Sequence, residues 1–194
     1  MRDISTDNVT LMADARESLR GNWGLGAAVS FLYLSLGIVL QSISGMGTLV
    51  WFVIIGPLTL GVTALCLKVS RGQPVRFQEA FDGFNRFSTA LAAYWFQALL
   101  ILLWALLLIV PGIIAALGYS MTFWLLADEP GLGAVDAMKK SKAMMFGHRW
   151  KLFCLFLRFT GWFLLSLLTA GLGFLWLFPY MAVSVAKFYE DIKT

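Results

Sequence analysis

Three long uncharged stretches separate the polar blocks of this 194-residue chain, and their length is what most limits how it can fold. They run from Gly21 to Leu67, from Phe87 to Ala127 and from Trp150 to Ala186, the last interrupted only by Lys151 and Arg158. A single helix needs about 20 apolar residues to cross a hydrocarbon core of about 30 Å, and each stretch is about twice that long. Each therefore reads as a helical hairpin. Turn-forming residues stand near the three midpoints: Ser42, Ser44, Gly45 and Gly47, then Pro111-Gly112, then Gly171 and Gly173. A soluble protein burying three such hairpins would need a polar coat. A chain with 59% hydrophobic and 13% charged residues has none to supply.

Lys and Arg on short loops mark the cytoplasmic side of a membrane. Arg16, Arg20, Lys68, Arg71, Arg76, Arg86, Lys139, Lys140, Lys142, Arg149, Lys151, Lys187 and Lys193 all lie in the termini or in the two long polar loops, whereas the hairpin tips carry no charge. The fold class expected is an all-α polytopic membrane protein, a single membrane domain over residues 1–194. It has six transmembrane helices as three hairpins and both termini cytoplasmic. The polar start argues for a retained first span rather than a cleaved signal peptide. Cys66 and Cys154 read as packed thiols, and the net charge of +4 reads as a membrane feature, with no argument for nucleic acid.

The polar blocks carry helical periodicity of their own. In the clearest, Phe77, Ala80, Phe81, Phe84 and Phe87 oppose Arg76, Glu79, Asp82, Asn85 and Arg86. In another, Leu11, Met12, Ala15 and Leu19 oppose Asp14, Arg16, Glu17 and Arg20, with Asp7 or Asn8 as N-cap. In the third, Ala134, Ala137, Met138, Ser141, Met144 and Met145 oppose Asp136, Lys139, Lys140 and Lys142. Each hairpin is thus preceded by an amphipathic helix that either lies at the headgroup boundary or packs its apolar face on the spans. Set side by side, the units suggest repeats over 7–69, 74–128 and 132–190. Each has a glycine and an aromatic at the junction (Gly21 and Trp23, Gly83 and Phe84, Gly147 and Trp150), and each has a proline near the start of its second span (Pro57, Pro111, Pro179).

The catalytic inventory is thin. His148 has no Cys, Asp or Glu at metal-ligand spacing, and Ser120 has no base inside the membrane, so no catalytic, cofactor or metal residue is assigned. Arg158 falls two turns into the fifth span, where it would snorkel, pair with Asp82 or Glu17, or hold a lipid phosphate. With Lys139, Lys140, Lys142, Arg149 and Lys151 it forms the candidate set for lipid headgroups, anionic ones above all. Gln97, Tyr119 and Ser120 are the intramembrane polar candidates, Gln97 chiefly as an interhelical hydrogen-bonder. These features favour a non-enzymatic protein, a homo-oligomer organising lipid or protein at the cytoplasmic leaflet. The alternatives are a small-solute or ion transporter or channel and, behind it, an intramembrane enzyme.

Several runs resemble a known family. They are Pro111-Gly112-Ile113-Ile114, Gly118-Tyr119-Ser120-Met121, Leu126-Ala127-Asp128-Glu129-Pro130 and Gly147-His148-Arg149-Trp150-Lys151-Leu152-Phe153, followed by Gly161-Trp162, Gly171 to Trp176, Pro179-Tyr180 and Phe188-Tyr189. The chain is similar through them to the bacterial integral-membrane family known as domain of unknown function 975. The resemblance implies a protein of the bacterial cytoplasmic membrane and supplies no activity. The chain departs from it at Gly131-Leu132-Gly133, where a Ser- or Asn-type cap is expected, which leaves the start of the third amphipathic helix open.

Overall fold

The computed structural model describes residues 6–42 and 45–193; Ser44, one of the turn residues read from the sequence, lies outside them. Every regular element among the described residues is helical, with no strand among them. Helix α1 (Asn8–Ser18) is capped by Asp7, whose carboxylate accepts from the Val9 amide at 3.4 Å. Helices α2 (Trp23–Ser42) and α3 (Met46–Ser70) form the first hairpin. After a 3-10 segment at Phe77–Arg86, α4 (Phe87–Leu107) breaks at the single extended residue Leu108, and the chain returns as α5 (Ile109–Tyr119) and α6 (Thr122–Asp128). Helix α7 (Ala134–Met144) leads to the last hairpin, α8 (Arg149–Leu168) and α9 (Phe174–Lys193). Among the described residues five segments are long and apolar enough to cross a membrane: Trp23–Ser42, Met46–Ser70, Phe77–Leu107, Ile109–Asp128 and Arg149–Leu168. The last helix, α9, is the exception, because Lys187, Glu190, Asp191 and Lys193 crowd its C-terminal third.

Helix α3 is the hub, touching α2, the 3-10 segment, α4, α6 and α9. Helix α3 and the 3-10 segment approach each other closely. A Cβ on Gly61 would overlap the Ala80 carbonyl, and one on Gly83 would overlap the Pro57 carbonyl and the Gly61 amide. Only hydrogen at both positions lets the two backbones touch. Three residues per turn explain the outcome for the aromatic row. Ala80 and Gly83 stack on one face and are buried, whereas Phe81 and Phe84 stack on another and are exposed; Phe77, at the start of the Ala80 row, is exposed too. The reading of Ala80 and the phenylalanines as one shared face is corrected accordingly.

The other two amphipathic helices lay their apolar faces on the protein itself. Leu11, Ala15 and Leu19 are buried, and the Tyr180 hydroxyl donates to the Met12 carbonyl at 3.3 Å. Ala137, Met138, Ser141 and Met145 are buried under α7. Gly133 begins α7 in extended conformation with no side-chain cap. At the junctions Gly21 and Gly147 adopt φ values of +83° and +88°, the left-handed conformation that ends a helix, but Gly83 serves close packing instead. Pro111 stands in the first turn of α5 as expected, whereas Pro57 lies well inside α3, because that helix starts as early as Met46.

Candidate functional site

All four polar blocks meet in one cluster. Arg71, just past α3, donates to Asp128 at the end of α6 (2.6 Å) and to Glu190 on α9 (Nε 3.0 Å, Nη2 2.6 Å). Asp128 also accepts from the Tyr189 hydroxyl (2.9 Å) and from Lys193. Lys187 donates to the Ser70 carbonyl at 2.6 Å. Asp191 accepts from Lys151 (2.5 Å) and from the amide and hydroxyl of Thr6 (3.0 and 2.5 Å), while the Asn8 amide side chain donates to the Lys151 carbonyl. Burial pushes the Asp191 carboxyl up, but the Lys151 ammonium and the two Thr6 donors outweigh it and hold the group below the usual carboxylate range. Lys68 binds Glu79 (2.6 Å), and Arg86 donates to the Leu126 and Leu132 carbonyls at 2.7 and 2.6 Å. Residues 6–8, 68–86, 126–132, 151 and 187–193 therefore share one end of the bundle.

This cluster sorts the six cations read as headgroup ligands. Lys151 is spent internally: its side chain is only 16% exposed, beside Asp191 and 5.5 Å from the Phe188 ring centre. Lys140 pairs with Glu129, and Lys139 lies 3.9 Å from Asp136 on an exposed turn. Arg158 is exposed and has no ion pair among the described residues, to Asp82, Glu17 or any other acid; Glu17 is taken by Arg20 at 3.1 Å. Its neighbour Phe159 meets Tyr180 edge-on at 5.2 Å, and Tyr180 in turn meets Trp23 and the Arg16 guanidinium. Arg158 thus stands level with the start of α2, because the first two turns of α8 lie beside the charged third of α9. Lys142 and Arg149, by contrast, converge on one pocket.

The intramembrane polar candidates do not converge. Ser120 donates to the Leu117 carbonyl, and the nearby hydroxyls of Thr122 and Ser166 donate to those of Tyr119 and Trp162, so each bonds a carbonyl three or four residues back along the chain. Gln97 is half-buried with its side-chain carbonyl enclosed and without a hydrogen-bond partner among the described residues, which leaves the expected interhelical bond unmade. Tyr119 lines the pocket of Lys142 and Arg149. A second crevice, of about 450 Å³, opens between α8 and α9 under Arg16, with Trp23, Trp162, Trp176 and Tyr180 as walls.

Sequence reasoning placed Ser141 on an apolar face and missed its role. The break between α5 and α6 frees backbone groups that one buried hydroxyl recovers: Ser141 Oγ accepts from the Met121 amide (3.1 Å) and donates to the Gly118 carbonyl (2.9 Å). The small-residue face was the signal available for it. Cys66 and Cys154 are unlinked, and no group of three or more His, Cys, Asp or Glu among the described residues could hold a metal ion.

A family model described as Protein of unknown function (DUF975) matches residues 106–194. No curated protein and no solved structure matches the chain.

Proposed function

We propose, from the match of residues 106–194 to the DUF975 family model, that the chain is a six-span protein of the bacterial cytoplasmic membrane that shapes and organises the surrounding lipid without catalysing a reaction. The six spans are three hairpins with the polar cluster on the cytoplasmic side. The apolar part of α9 is its sixth crossing, from Phe174 to Ala186.

One observation carries the lipid-shaping role. That crossing is about 13 residues, or ~20 Å of helix at 1.5 Å per residue, against a hydrocarbon core of about 30 Å. A short span is met by thinning the bilayer around it. Taper supports the same reading. Helix α1, the 3-10 segment and α7 all add to the cross-section at the polar end, whereas among the described residues the opposite end holds only hairpin turns. A body broad in one leaflet and short on one side biases both thickness and curvature. The self-satisfied hydroxyls of Ser120, Thr122 and Ser166 support this over a conduit, which needs polar groups facing a shared path.

The test is partitioning of the purified protein in vesicles with coexisting thin and thick bilayer domains. Enrichment in the thin domains is the expected result. Even partitioning would contradict the proposal, as would solute or ion flux above protein-free vesicles.

A further inference from the structure

We propose that the pocket holding Lys142 and Arg149 is a binding site for one anionic phospholipid, its phosphate on the two cations and an acyl chain along the wall formed by α4 and α5. This rests on the reading of the chain as a lipid-organising membrane protein and names the site that does it. The pocket has a volume of about 170 Å³ and lies where α5, the end of α7 and the start of α8 meet. Its wall is apolar: Trp104, Pro111, Ile114 and Ala115. Its other end carries Lys142, Arg149 and Tyr119.

Three observations point to an anionic amphiphile. First, the Arg149 Nε is buried and has no acceptor among the described residues. An enclosed guanidinium donor left without an acceptor is unfavourable, and an incoming phosphate oxygen satisfies it through a charge-assisted bond. Second, neither Lys142 nor Arg149 has an acidic partner among the described residues, although Lys139, Lys140 and Lys151 nearby all do. The acids of this region, Glu129, Asp136 and Asp191, are already engaged, so the pocket keeps a net positive charge. Third, the cations are at one end of the cavity and hydrocarbon-like side chains at the other. A small hydrophilic anion would leave that wall without a partner; a phospholipid fills both ends.

The experiment is native mass spectrometry of the full-length protein released from nanodiscs of phosphatidylglycerol mixed with phosphatidylcholine. The wild type should retain phosphatidylglycerol preferentially. Arg149→Gln with Lys142→Gln should reduce that preference about 30-fold, the equivalent of about 1 kcal/mol for each cation. Lys139→Gln with Lys140→Gln, the same loss of two positive charges on α7 but outside the pocket, should leave it unchanged. Ala115→Phe keeps both cations and fills the wall, so it should also lose the lipid, which covers the case in which the double variant does not fold. Equal loss in the Lys139/Lys140 variant and the Lys142/Arg149 variant would mean diffuse surface attraction and overturn the pocket, as would full retention by Ala115→Phe. Equal thermal stabilisation by inorganic phosphate and by phosphatidylglycerol would overturn the lipid as ligand. A wild type with no preference between the two lipids overturns the leaflet role as a whole, whereas preference retained in every pocket variant overturns the site alone.

Discussion

The hydroxyl of Ser141 completes the amide of Met121 across a helix break, accepting its proton at 3.1 Å while donating to the Gly118 carbonyl at 2.9 Å. Ser141 is fully buried, so water cannot replace either bond. Removing the hydroxyl strands a donor and an acceptor in a region of low dielectric. Ser141→Ala should cost about 1–3 kcal/mol. Thermal unfolding in detergent reads this directly, and an unchanged midpoint would show that the break needs no support from α7.

The contact between α3 and the 3-10 segment makes opposite predictions for two glycines. Gly83→Ala sets a methyl group into the backbone at Pro57 and Gly61, and neither can move away without parting the segments. Gly24, inside α2, has open space where its Cβ would be. Gly24→Ala should be neutral, or stabilising by up to about 1 kcal/mol through helix propensity. Size-exclusion profiles and unfolding midpoints of the two variants should separate clearly; equal tolerance would contradict the close packing.

Acid should loosen the N-terminal segment from α9. Asp191 lies beyond the proposed sixth span, and its carboxyl is held below the usual range by Lys151 and Thr6. A depressed carboxylate contributes stability that is present above its unfolded value, about 3.9, and is lost as the pH falls through the folded value. A spin label at the exposed Val9, in a variant without Cys66 and Cys154, should gain mobility only below about pH 4. Asp191→Asn should be mobile at every pH. Identical acid profiles in the two proteins would show that another group controls the segment.

Much of this architecture was legible in the charge pattern, since hairpin boundaries follow from where charge is absent. Helix pairing inside the polar end was not. Arg158 lies more than two turns into α8, as counting from Trp150 gives, but the contact between Lys151 and Asp191, which sets the start of α8 beside the charged third of α9, was not legible in the sequence. The face of Phe81 and Phe84 was misread because a 3.6-residue period groups them with Ala80, whereas the 3-10 period separates them from it. Lys142 and Arg149 were named among six equivalent cations. Only the placement of Glu129, Asp136 and Asp191, partners distant in sequence or set by local rotamers, distinguishes them from the rest.

The proposed topology puts all polar blocks on one side of the membrane and all hairpin tips on the other. Single cysteines introduced into a variant lacking Cys66 and Cys154, and challenged with an impermeant thiol reagent in intact cells, report the side of each position. Cysteine at Gly45 or Gly171, at the tips, should react from outside; cysteine at Asp82 or Lys140 should react only after the cells are opened. Labelling of Asp82→Cys from outside would contradict the account.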